Sequence, residues 1–229
     1  MARYGMVIDL QACTGCGACA MACKSENNVR DGHFWCNYTT TLVGDFPDVR
    51  YTFMPTFCNH CANAPCIPVC PVEPHKAIFK NKDGLTLMDS DRCIGCQRCQ
   101  NACPYGVIYF NEDDPHPFWR TENARELTAS VGARHMPYYN PNRATTWNGT
   151  GVRKRGVVEK CSFCDHRLEV GKRPFCAERC PAQAIHFGNL DDPNSSVSIL
   201  LSQHPDARRL KEETGAEPQV YYIRSFNRR

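Results

Sequence analysis

The chain has 229 residues, 17 of them cysteine, with 27 basic side chains against 24 acidic ones and a formal charge of +3. That length suits one or two domains, and so small a charge points to no nucleic-acid partner. A disulfide scaffold belongs to short secreted chains, but "MARYGMVIDL" has neither a twin arginine nor an apolar h-region, and nothing here is long and apolar enough to span a bilayer.

Taken in chain order, the first motif is "CTGCGACAMAC", with Cys13, Cys16, Cys19 and Cys23. Its second half, "CAMACKSEN", suits a short helix. Cys36, in "HFWCNY", stands outside any group and reads as a small buried hydrophobe. The second motif, "CNHCANAPCIPVCP", holds Cys58, Cys61, Cys66 and Cys70. Next comes "KAIFKNKDGLTLMD", two alternating segments about Asp83-Gly84, which predicts a β-hairpin. The third motif, "CIGCQRCQNACP", holds Cys93, Cys96, Cys99 and Cys103; "CQRCQNAC" suits another short helix, and "GVIYF" (106–110) reads as a strand.

Residues 111–157 are rich in Pro, Asn, Asp, Thr and Gly without clear periodicity, which predicts an insertion. Its aromatics (Phe118, Trp119, Tyr138, Tyr139, Trp147) either pack it down or face a partner. "RKRG" (153–156) is read either as a docking patch or as a solvated face. The fourth motif, "CSFCDHRLEVGKRPFCAERCP", holds Cys161, Cys164, Cys176 and Cys180. "AIHF" (184–187) reads as a strand, "DDPNSSVSILLSQHPDARRLKEETG" contains a helix, and "QVYYIRSF" closes as a strand.

The spacing C-x2-C-x2-C-x3-C-P of the third motif is that of bacterial iron–sulfur proteins. Zinc sites use two C-x2-C pairs, or one pair with histidines, and lack this rhythm. Three thiolates on a tight loop cap three irons of one cubane. The fourth, one helical turn on, points away to a second cubane. Gly15, Gly17 and Gly95 let the backbone come close, and its N–H groups form a nest for the sulfurs. Sixteen ligands imply four [4Fe-4S] clusters. At about −2 each when oxidised, these make the loaded protein mildly acidic. Lys24, Arg92, Arg98, Lys160, Arg167 and Arg179 flank the motifs and read as ordinary surface cations, with tuning or partner contact as the functional alternative. His60 and His166, beside ligand cysteines, read as packed or hydrogen-bonding side chains.

The first and third motifs are regular and the second and fourth expanded, an internal duplication. The motifs pair either in tandem or nested. Only 22 residues separate Cys70 from Cys93, against 34 between Cys23 and Cys58 and 57 between Cys103 and Cys161. The short gap makes the second and third motifs a central module, with the outer two closing around it. The expected fold is α+β: two nested bacterial-ferredoxin-like 2[4Fe-4S] modules with a loop-rich insertion. The outer module would take residues 1–50 and 158–229, the central module 51–110 and the insertion 111–157.

These motifs, with "GMVIDLQACTGCGACAMACKSEN", "FPDVRYTFMPTFCNHC", "DGLTL", "CPYGVI", "KCSFCDHRL" and "YYIRSF", resemble the four-cluster electron-transfer subunits of the dimethyl-sulfoxide-reductase family of molybdopterin enzymes. The likeness is strongest to the small subunits of respiratory arsenate reductases. It is weaker to those of pyrogallol transhydroxylase and catechol dehydroxylases. The resemblance implies nested ligation: Cys13, Cys16 and Cys19 with Cys180; Cys161, Cys164 and Cys176 with Cys23; Cys58, Cys61 and Cys66 with Cys103; Cys93, Cys96 and Cys99 with Cys70. It implies a non-catalytic chain that serves a large subunit holding a molybdenum or tungsten bis-pterin. A membrane anchor, a quinol-oxidising protein or a cytochrome would be further partners. It implies co-export with that subunit to the periplasm or outer membrane face, with a cytoplasmic complex as the alternative. The competing reading of the residues is a free polyferredoxin with diffusing partners.

Overall fold

A computed structural model describes residues 2–114, 116–130, 139–140, 142 and 152–224. Along the chain run β1 (Tyr4–Asp9), α1 (Ala18–Asn27), β2 (Cys36–Val43), β3 (Arg50–Phe57), β4 (Ile78–Lys80) and β5 (Thr86–Met88). There follow α2 (Arg98–Ala102), β6 (Ile108–Phe110), α3 (Glu122–Ser130), β7 (Val158–Lys160), α4 (Asp165–Leu168) and α5 (Phe175–Glu178). The chain closes with β8 (Ile185–Asn189), α6 (Ser196–Gln203) and β9 (Val220–Ile223). Short strands and short helices mix, as an α+β chain requires.

The apolar run Met6-Val7-Ile8 makes β1 the centre of a three-stranded sheet in the order β8-β1-β9. β1 is antiparallel to β8, with Ile8 opposite Ile185, and parallel to β9, with Met6 opposite Val220. All three residues of the run are fully buried, so both faces of the strand are covered. One face meets α6, where Val197 packs against Val7 and Ile223. Ser195 starts that helix by accepting a hydrogen bond from the Ser198 N–H, the ordinary serine N-cap. The expected tail helix and closing strand are thus present; Ser225 and Phe226 of "QVYYIRSF" lie outside the described residues.

The β4–β5 hairpin forms about Asp83-Gly84 as expected, with Ile78 opposite Met88. The Asn81 side chain accepts from the Asp83 and Leu85 N–H groups and so fixes the turn. β6 and β8 fall within "GVIYF" and on "AIHF", and α1 and α2 fall on the two cysteine runs read as helical.

A longer hairpin has no counterpart among the expected elements. β2 and β3 pair from Cys36–Phe57 at the base to Val43–Arg50 near the tip. Its base is buried, the outer half of β2 is exposed and that of β3 is mostly half-buried. The hairpin spans the division expected at 50/51, and β7 pairs with β6 across the division expected at 158.

The insertion carries a 3-10 turn (Pro117–Arg120) and α3, neither of which the composition suggests. Trp119 and Tyr139 pack on Ala124 and Val152, so these two aromatics pack the insertion on itself. Phe118 sits edge-on to Trp119 at 5.3 Å. Tyr138 and Trp147 lie outside the described residues.

Candidate iron–sulfur centres

The fold draws the sixteen motif cysteines into four sets. Cys13, Cys16, Cys19 and Cys180 line one cavity, walled by Tyr38, Pro55 and Ile185. Cys70, Cys93, Cys96 and Cys99 line a second, walled by Ile78, Met88 and Val158. Cys58, Cys61, Cys66 and Cys103 line a third, against Pro65, Tyr105 and Ile108. Cys23, Cys161, Cys164 and Cys176 form the fourth set, close enough for Cys23, Cys161 and Cys164 to feel the charge of others in it. The Asn27 amide reaches two of its sulfurs, at 3.6 Å to Cys23 Sγ and 4.0 Å to Cys164 Sγ. Every set takes three cysteines from one motif and one from another.

The loops that do this share one backbone feature. The residue before the second cysteine has a positive φ in all four motifs: 66° at Gly15, 44° at His60, 72° at Gly95 and 55° at Phe163. In the regular motifs that residue is glycine, and space as well as φ demands it. A Cβ on Gly15 would strike the Phe53 ring, and one on Gly95 the Gly156 carbonyl. In the expanded motifs the strained conformation is held by packing instead. His60 and Phe163 are fully buried, and their rings lie 3.8 Å apart.

Thiols so packed are poor acids on their own. Burial, followed by the charge of neighbouring thiols, pushes Cys66 and Cys164 up to about 12 and Cys61 and Cys99 to about 11. Backbone N–H groups act the other way. Those of Val72, Ile78 and Ala77 overcome burial and bring Cys70 down; the Ala184 N–H reaches Cys180 Sγ at 3.3 Å and the Phe163 N–H reaches Cys161 Sγ at 3.4 Å. Four crowded thiols with N–H donors aimed at their sulfurs fit a positively charged inorganic core, which ionises its thiols outright. Among the described residues no three His, Cys, Asp or Glu side chains gather about a single point as one metal ion needs. The thiols surround a volume instead.

Other singled-out residues take more modest places. His166 bonds to Glu26 Oε1 at 2.9 Å. His60 accepts from the Thr86 N–H on Nδ1 at 3.1 Å. Burial, then the charges of Lys160 and Lys80, holds its ring neutral. Cys36 is buried as expected, but its thiol also meets the sulfurs of both Cys19 and Cys176. Hydrogen bonding to Cys36 brings Cys19 down to about 7. Arg153 of "RKRG" belongs neither to a docking patch nor to a solvated face: it is buried and grips both carboxylate oxygens of Glu159 at 2.9 Å. Lys160 is not a surface cation. It is only 5 % exposed, and its ammonium reaches Cys58 Sγ at 3.4 Å. The signal that marks it is "VVEKC": Lys160 ends a four-residue run that is buried throughout and leads straight into a motif cysteine.

A chain whose cysteines gather in this way is an iron–sulfur protein of the ferredoxin type. Family models agree: those for a 4Fe-4S dicluster domain match residues 49–117 and 92–185, and one for a 4Fe-4S binding domain matches residues 4–25. Curated relatives match over almost the whole chain. It is 48% identical to the arsenate respiratory reductase iron-sulfur subunit ArrB of Shewanella sp. (strain ANA-3), covering 98% of this chain and 97% of that one. It is 40% identical to a putative dimethyl sulfoxide reductase iron-sulfur subunit of Halobacterium salinarum, covering 97% and 79%. A selenate reductase subunit of Mesobacillus selenatarsenatis is 38% identical, with 96% and 72% covered. The chain belongs to the iron–sulfur subunits of the dimethyl-sulfoxide-reductase family of molybdopterin oxidoreductases. Its role is electron transfer with a catalytic partner subunit, and it is not itself the catalyst.

Proposed function

We propose that each of the four cysteine sets holds one [4Fe-4S] cluster, and that the four form a single path to or from a large subunit with a molybdenum or tungsten bis-pterin. The ligand sets are Cys13, Cys16, Cys19 and Cys180; Cys23, Cys161, Cys164 and Cys176; Cys58, Cys61, Cys66 and Cys103; and Cys70, Cys93, Cys96 and Cys99. When bound, such clusters supply one-electron couples within about −700 to +450 mV. The chain's own residues hold them, bury most of their ligand thiols and donate N–H groups to their sulfurs.

The observation that carries this reading is the mixed origin of every set. Motifs one and four exchange their last cysteines, and so do motifs two and three, which supports two nested modules. The outer module takes residues 1–50 and 158–229, the central one 51–110, with 111–157 inserted. The β2–β3 hairpin and the β6–β7 pair tie the two together. The order along the path rests on the side chains at two of its three junctions. The Cys36 thiol lies between Cys19 and Cys176, and the Lys160 ammonium between Cys58 and Cys161. The sets that contain the exposed cysteines, Cys16 and Cys96, then stand at the two ends.

The near full-length match to the arsenate-reductase relative supports a partner of that kind, ahead of a catechol dehydroxylase or transhydroxylase. Co-export with the partner to the outer face of the membrane, ahead of a cytoplasmic complex, belongs to the same proposal. Among the described residues no helix is long and apolar enough to cross a membrane. A membrane anchor, quinol-oxidising protein or cytochrome would exchange electrons at the end away from the catalytic subunit.

The test is an anaerobic affinity isolation of the chain from its native cells, with molybdenum and tungsten assayed in what co-elutes. A tightly held large subunit with one of these metals is expected. A chain that elutes alone, loaded with iron and free of both metals, would contradict the proposal and point to a free polyferredoxin.

A further inference from the structure

Lys160 is the last residue of β7 and the neighbour of Cys161. Its ammonium has three acceptors: Cys58 Sγ at 3.4 Å, the Cys161 carbonyl at 2.9 Å and the Thr86 carbonyl. Three acceptors use all three N–H bonds of an ammonium and leave no room for a neutral amine. Among the described residues no carboxylate pairs with it; Glu159, the adjacent residue, is engaged by Arg153. A buried cation without a counter-charge is costly unless something nearby is negative. The groups that face it are the sulfurs of two cysteine sets and, on the same side as Thr86, a second cation, Lys80.

We propose that Lys160 is a positioning residue that sets the relative potentials of the two inner clusters, one on Cys58, Cys61, Cys66 and Cys103 and the other on Cys23, Cys161, Cys164 and Cys176. This rests on the cluster assignment above. One-electron reduction of a cluster adds one negative charge, with the electron supplied by the neighbouring cluster. A fixed positive charge in a dry site favours the more negative state and so raises the potential. The effect is larger on the Cys58 set, where the ammonium bonds directly to a sulfur. The Cys161 set is reached only through a backbone carbonyl. Lys160 thereby biases electron distribution between a central cluster and an outer one.

The test is a redox titration, followed by electron paramagnetic resonance, of the iron-loaded chain with its partner. The variants are Lys160→Met, Lys160→Gln (which retains a donor without the charge) and Lys160→Arg (which retains the charge). Iron is counted first, so that a failure of the cluster assignment shows as wrong iron in the unaltered chain. In Lys160→Met one cluster is expected to become at least tenfold harder to reduce, about 59 mV for a one-electron couple. A second cluster should move less in the same direction and the outer two should stay put. Lys160→Gln should follow Met, and Lys160→Arg should stay near the unaltered chain. Unchanged potentials in either fully loaded neutral variant would overturn the inference. Loss of iron from both neutral variants would overturn it too, because the role would then be assembly.

Discussion

Gly95 and Phe163 occupy equivalent places, one residue before the second cysteine of a motif, and both have a positive φ. Gly95 adopts it without a Cβ penalty, and Phe163 is held in it by rings on every side. Phe57 lies 6.1 Å away, Phe187 5.8 Å and His60 3.8 Å. The glycine is therefore the position where a single methyl group discriminates strain from collision. Gly95→Ala should cost the usual left-handed penalty, about 1–2 kcal/mol, and in addition should drive the 153–156 turn away, since its Cβ meets the Gly156 carbonyl. Gly106 also has a positive φ, 62°, but nothing stands within 4 Å of an added Cβ, so Gly106→Ala should pay the strain alone. Anaerobic thermal unfolding with iron counts on both variants checks this. The greater loss of melting temperature and iron is expected in Gly95→Ala, and equal losses would contradict the collision.

Among the elements, β7 does the most for its length. It closes a two-stranded pair with β6, carries Glu159 and Lys160 inward and delivers Cys161. Glu159 is matched by Arg153, whose guanidinium also donates to the backbone carbonyls of Asn27, Asn28 and Tyr139. One buried ion pair thus locks the end of α1, the insertion and the strand into motif four. Removing one partner leaves an uncompensated buried charge, so Arg153→Met should cost about 3–5 kcal/mol. Adding Glu159→Leu should restore part of that loss. Denaturation of the two single variants and the double variant makes the cycle; an Arg153→Met loss below about 1 kcal/mol would show that the pair is exposed in solution, against its burial here.

These elements also mark where the reading of the sequence succeeds and fails. The β4–β5 hairpin is legible because Asp83-Gly84 is a local turn signal between alternating segments. The four cysteine motifs are legible because ligand spacing is a local property of a loop, whereas which motif lends its last cysteine to which comes from the resemblance and not from spacing. The β2–β3 hairpin is not legible, because the outer half of β2 faces solvent and "TTTLV" carries no alternation of polar and apolar residues. α3 hides in a polar stretch whose buried contact, among the described side chains, is one alanine, Ala124. Lys160 and Arg153 mislead in the other direction: their burial depends on partners 74 and 126 residues away, Thr86 and Asn27, which no local pattern records.

At the scale of the whole molecule, the hydrophobic core and the candidate cofactor sites are one body. Cys19, Cys23, Cys58, Cys161 and Cys176 lie in the main cluster of buried residues together with Met6, Ile8, Phe57, Phe163 and Phe187. A core built partly of ligands gains stability from what the ligands bind, because a group that binds only the folded chain adds its binding energy to folding. The electron-transfer role and the fold accordingly stand on the same claim, that each set of four thiols holds a cubane. The most direct measurement is the iron and acid-labile sulfide content of the anaerobically purified chain. Four cubanes predict about 16 iron and 16 sulfide per chain. Zinc in their place, or fewer than about 12 iron in fully loaded protein, would contradict it.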